Sequence, residues 1–136
     1  MPEIISSLNW LAVIVATVVY FCLGALWYSN LLFAKTWMKL RNVTEEDIEE
    51  PNPVIFLYSF ILQFIAVASL ALFMEAMGIE SAGNGALIGF GTGAGFVFTL
   101  AGTTGIFSEV PIKLHFLDNG YHVVGLVLAG LVLGLW

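Results

Sequence analysis

The sequence predicts an all-α integral membrane protein: four transmembrane helices in an antiparallel bundle, with the N and C termini outside. Three observations carry this. Of 136 residues, 60% are hydrophobic and 10% charged, and the mean hydropathy is +0.96. Soluble domains carry about 25% charged residues, and a small globule buries only about two-thirds of what its unfolded chain exposes. Lipid must therefore solvate the remainder. Four apolar runs are each long enough to cross a hydrocarbon core of about 30 Å as a helix. They are continuous rather than alternating, which excludes a β-barrel.

The chain reads as one domain, 1–136. The first span covers 8–30. Its leader, "MPEIISSLNW", lacks the basic region of a signal peptide, so the span is expected to be retained. Cys22 lies inside it and reads as a small buried hydrophobe. The run continues as "LLFAKTWMKLR", where Phe33, Trp37 and Leu40 share one helical face and Lys35 and Lys39 another. That pattern suits a helix lying among headgroups. Thr44 and Asp47 have the spacing of a capping box, flanked by Val43 and Ile48 as a hydrophobic staple. A short acidic helix is predicted within 43–51, ending before Pro51. The remaining spans are 53–77, 84–107 and 111–136. Short connections make neighbouring helices antiparallel.

Charge sets the expected orientation. Lys35, Lys39, Arg41 and Lys113 are the four basic residues, and all lie in the first and third loops. The positive-inside rule puts those loops in the cytoplasm, of a bacterial inner (plasma) membrane protein. The net charge of −6 excludes a nucleic-acid partner.

The third span carries Gly85, Gly89 and Gly93 at four-residue intervals, with Gly91 and Gly95 repeating the spacing; the fourth adds Gly130 and Gly134. Such residues let helix backbones touch. The touching helix belongs to the same chain or to a second copy in a homo-oligomer; both stay open. No strand precedes the run and no Lys-Ser/Thr follows, so it is not a nucleotide loop.

Polar residues collect on the side of the basic loops. Tyr28, Ser29 and Asn30 end the first span there, Tyr58, Ser59 and Gln63 begin the second, Thr99, Thr103 and Thr104 end the third, and Asp118, Asn119, Tyr121 and His122 begin the fourth. The outer halves hold little beyond Thr17, Ser69 and Thr92. Intramembrane polar groups face the bundle and pair, so a cytoplasm-facing pocket is expected, closed on its outer side.

"HFLDNGYH" holds both histidines. His115, Asp118 and His122 stand at i, i+3 and i+7 on one helical face. One metal ion is not expected there: at 1.5 Å per residue the histidines lie about 10 Å apart, whereas ligands bind zinc at about 2 Å. A polar relay through Asp118 and a structural clamp both remain. No catalytic motif of the serine-hydrolase, zinc-protease or paired-cysteine kinds is present. The expectation is a protein without enzymatic activity and without a cofactor.

Three stretches carry a likeness: "NWLAVIVATVVYFCLGALWYS", "LLFAKTWMK" with "TEED" soon after, and "NGYHVVGLVLAGLVLGLW". Through them the chain resembles a family of small bacterial membrane proteins, domain of unknown function 1761 (DUF1761). The resemblance implies a four-helix membrane fold and brings no activity. Its matching positions are Asn9, Trp10, Trp27, Tyr28, Ser29, Trp37, Asn119, Gly120, Tyr121 and His122; His115 and Asp118 are not among them.

The leading functional expectation is a pocket formed by His122, Asn119, Tyr121, Tyr28, Asn30 and Gln63, binding a small polar solute or lipid headgroup, with transport as one use. The alternative is a non-catalytic accessory subunit of a larger membrane complex, docked through the glycine ridge.

Overall fold

Three of the four long helices begin where a side chain satisfies a free N–H group, and the fourth begins after Pro111 without one. Asn9 accepts from Ala12 N at 3.1 Å, Asn52 from Val54 N at 3.0 Å with Pro53 following, and Ser81 from Asn84 N at 3.3 Å. Between these starts the chain turns on left-handed residues, Asn42, Gly78 and Glu109, with φ of 53°, 65° and 55°.

The structure, a computed structural model, describes residues 2–136 and is all α-helical apart from short turns. A short α1, Pro2–Ser7, precedes α2, Trp10–Trp27. A short helix after the first span is α3, Ala34–Arg41. Then come α4, Pro53–Ala76, α5, Ala82–Phe107, and α6, Ile112–Leu133. Four of these, α2, α4, α5 and α6, are long and apolar enough to cross a membrane.

Contacts run in opposite senses along neighbouring helices. Tyr20 lies on Gly125, Gly24 on Tyr121, and Trp27 Nε1 donates to Leu117 O at 3.1 Å, so α2 and α6 are antiparallel. The same holds for α5 and α6: Gly85 meets Gly130, Gly89 meets Leu126, Gly93 meets Val123 and Gly102 meets His115. Helix α6 is central and packs against α2, α3, α4 and α5. The core between α2, α4 and α6 is apolar, with Val13, Val67 and Leu70 fully enclosed.

The elements depart from expectation in four places. The first span ends at Trp27, and residues 28–33 form a turn that separates it from α3. The predicted acidic helix is a single 3-10 turn, Glu45–Asp47. Ile48 is already extended, at φ −93° and ψ 105°, and Pro51 and Pro53 bias the residues before them toward extended backbone. Helix α1 has no counterpart in the sequence reading. Helix α5 is α-helical over Ala82–Thr92 and Thr99–Phe107 but π-helical over Gly93–Phe98. One extra residue in that turn shifts the register of everything beyond it, and Phe98 then lies edge-on to the His115 ring, 4.3 Å between centroids.

Candidate ligand pocket

Two antiparallel helices carry the same four-residue device. Tyr20 and Gly24 on α2 face Gly125 and Tyr121 on α6. Each tyrosine ring fills the notch left by the other helix's glycine: a Cβ on Gly24 would stand 2.9 Å from Tyr121 Oη, and one on Gly125 would enter the Tyr20 ring. The two rings pack at 5.5 Å, and both are nearly fully buried. Around Tyr121 gather His122 at 4.7 Å, Tyr28 at 5.7 Å and Trp27 at 6.2 Å.

Hydrogen bonds then tie this aromatic cluster across three helices. Tyr20 Oη and His122 Nδ1 are 2.7 Å apart. Gln63 Nε2, from α4, donates to Tyr121 Oη at 2.6 Å, and Tyr121 Oη reaches Tyr20 O at 3.5 Å. Tyr28 Oη donates to Asp118 Oδ1 at 2.9 Å. The cluster is the floor of a cavity of about 740 Å³. Its walls are Phe21, Gly24 and Ala25 of α2 with Tyr28, the first turns of α4 from Phe56 to Gln63, and Tyr121 and His122 of α6. Ala34, Trp37 and Met38 of α3, with Ile48 and Pro51 of the following loop, complete it.

The structure brings four of the six expected pocket residues together: Tyr28, Gln63, Tyr121 and His122 all line this cavity. The other two are elsewhere. Asn30 is exposed in the turn after α2. Asn119 points to the opposite side of α6, where Nδ2 lies 2.9 Å from His115 Nδ1 and 3.2 Å from His115 O. The relay of His115, Asp118 and His122 does not form, because each has a different partner: Asn119, Tyr28 and Tyr20 respectively. A helical face at i, i+3 and i+7 spans enough arc for neighbouring helices to claim its two edges separately. His115 is buried against Phe98 and Gly102.

The opposite end is not closed as expected. A second cavity, of about 510 Å³, lies between Asn9, Ala71, Glu75 and Leu133, where Ser7 Oγ donates to Glu75 Oε1 at 2.7 Å. The enclosed side chains Val13, Thr17, Val67, Leu70 and Leu126 belong to the interior of the bundle. Gly85, Gly89 and Gly93 meet backbone of α6 in the same chain, and Gly130 and Gly134 meet Gly85 and Ser81. The surface that an accessory subunit would dock through is thus already covered, whereas Gly91 and Gly95 face open space.

Sequence reasoning passed over Tyr20, Gly24 and Gly125. The signal was present as Tyr-x-x-x-Gly in both the first and the last span, "YFCLG" and "YHVVG". Only the antiparallel pairing of the two helices gives it meaning.

Comparison with curated proteins and with solved structures returns no match. A family model does match, over residues 11–134, and its span takes in α2 through α6 with both tyrosine–glycine pairs and the whole cavity wall. The chain belongs to the protein family of unknown function DUF1761.

Proposed function

We propose that this chain is a multi-pass membrane protein that binds a small molecule in the cavity between α2, α3, α4 and α6, without catalysis. One observation carries the reading. Polar side chains from α4, α6 and the turn that ends α2, namely Gln63, Tyr121, His122 and Tyr28, converge on one cavity of about 740 Å³. Small-molecule sites are typically about 300–1,000 Å³, mostly apolar, with a few convergent polar groups. The cavity adjoins α3, which carries Lys35, Lys39 and Arg41. The positive-inside rule therefore favours a cavity on the cytoplasmic side of a plasma membrane.

The rigid floor supports binding further. Tyr20 and Tyr121 are locked by reciprocal glycine notches and held by His122 and Gln63, so little side-chain freedom remains to be lost when a ligand arrives. Native mass spectrometry of protein extracted gently from its own membrane tests the reading. A defined small-molecule mass is expected on the wild type, and Leu62→Trp, which narrows the cavity, lowers its occupancy. Bare wild-type protein, or equal occupancy on Leu62→Trp, overturns the reading.

A further inference from the structure

Every serine and threonine hydroxyl inside the four spans but one donates back to its own helix. Thr17 bonds Val13 O, Ser69 Ile65 O, Thr92 Ile88 O, Thr99 Gly95 O, Thr103 Thr99 O and Thr104 Leu100 O. This is what lipid demands, since it supplies no partner of its own. Ser59 is the exception, with no hydrogen bond among the described residues although its Ile55 carbonyl lies one turn back. Gln63, one turn further along the same face of α4, leaves a second polar atom unmatched. Its Oε1 is buried without a partner while Nε2 is engaged by Tyr121. Turning the amide over only changes which atom is left unpaired.

Both residues line the same cavity, with Gln63 Oε1 itself covered by its neighbours. Among the described residues no Asp, Glu, Lys or Arg lines it. The nearby carboxylate, Asp118, is bonded to Tyr28, and the one titratable nitrogen base in the wall, His122, has its Nδ1 on Tyr20. The remaining wall is apolar, chiefly Phe21, Trp37, Met38, Phe56 and Leu62. The wall itself holds no counter-charge for a charged ligand, and Arg41 of α3 is engaged over the Trp37 ring, 4.8 Å from its centroid; an unpaired charge in apolar surroundings is strongly disfavoured.

Resting on the pocket reading above, we propose that the ligand is an uncharged amphiphile: an apolar body with one alcohol group, held between Ser59 Oγ and the Gln63 amide. The alcohol donates to one and accepts from the other, which completes both. Its apolar body lies along Phe56, Leu62 and Trp37 toward the lipid.

Trp37 in the cavity wall provides the readout. Protein in nanodiscs of saturated phosphatidylcholine is titrated with bromoundecanol, bromoundecanoate and bromoundecylamine, and bromine quenching of Trp37 is obtained by difference against Trp37→Phe. Saturable quenching by the alcohol alone is expected. Ser59→Ala and Gln63→Leu each weaken it about tenfold, the loss of one hydrogen bond to a neutral group, and Ser59→Thr preserves it. If either charged probe saturates as tightly as the alcohol, or if both truncations bind the alcohol like wild type, the ligand class is wrong while the pocket stands. If none of the three saturates on wild-type protein, this proposal falls, and the mass carried by wild-type protein decides whether the pocket reading falls with it. The charge comparison uses wild-type protein, so a misfolded variant does not blunt it.

Discussion

At the residue scale, the consequential positions are glycines facing something rather than glycines in general. Gly125 lies against the ring of Tyr20, which is 2% exposed and held by His122. Gly125→Ala is therefore expected to cost about 1–3 kcal/mol by overpacking, seen as a lower thermal midpoint by circular dichroism in detergent. Gly89→Ala should be at least as damaging, because its neighbour is the Leu126 carbonyl, which cannot swing away as a side chain can. Gly91→Ala, with nothing within 4 Å, should hold or raise the midpoint, since alanine is the better helix former by about 1 kcal/mol. Equal midpoints for all three would refute the notch picture. Their spacing in the sequence does not separate these glycines; Gly89 and Gly91 look alike until α6 is placed against one of them.

At the element scale, the helices were legible and their interruptions were not. Asn9, Asn52 with Pro53, and Ser81 are local start signals, and local signals survive in a bare sequence. The π-turn at Gly93–Phe98 is different, because no short-range rule distinguishes it from an α-helix rich in glycine. The pocket followed the same division. Tyr28, Gln63, Tyr121 and His122 line the cavity, as their depth suggested, while Asn30 and Asn119 lie elsewhere because neither depth nor family likeness says which side of a helix a residue takes. The loop that roofs the cavity offers a test of its own. Thr44 N and Oγ1 both donate to Asp47 Oδ2, at 2.8 and 2.6 Å, and they hold the Asp47 carboxyl below the usual carboxylate range. A carboxylate with a lowered folded value adds its stabilisation above the ordinary carboxylate pKa and loses it as pH falls through the lowered one. Amide exchange at Asp47 and Ile48 should thus be slow near neutrality relative to its intrinsic rate, and protection should fade in acid. Asp47→Asn should be nearly flat with pH; a pH-dependent loss retained in Asp47→Asn would show that another group is responsible.

At the scale of the whole molecule, charge and packing point the same way. Lys35, Lys39 and Arg41 sit on α3, which packs on α6, and Lys113 is in the first turn of α6. All four cations therefore gather at the end where Tyr28 meets Asp118. Ser7, Glu75, Glu80 and Trp136 line the cavity at the other end. A bundle so polarised is expected to insert with its basic end in the cytoplasm, because Lys and Arg resist translocation whereas acidic residues contribute little. Single cysteines in a Cys22→Ala background should report this. With a membrane-impermeant maleimide on intact cells, Glu80→Cys is expected to label, while Arg41→Cys and Glu109→Cys label only after permeabilisation. The opposite pattern would turn the bundle over and put the cavity of about 740 Å³ outside, and labelling of every position in intact cells would mean that both orientations coexist. The expected pattern would place the Ser59–Gln63 cavity where a cytoplasmic supply of ligand, or the inner leaflet, can reach it.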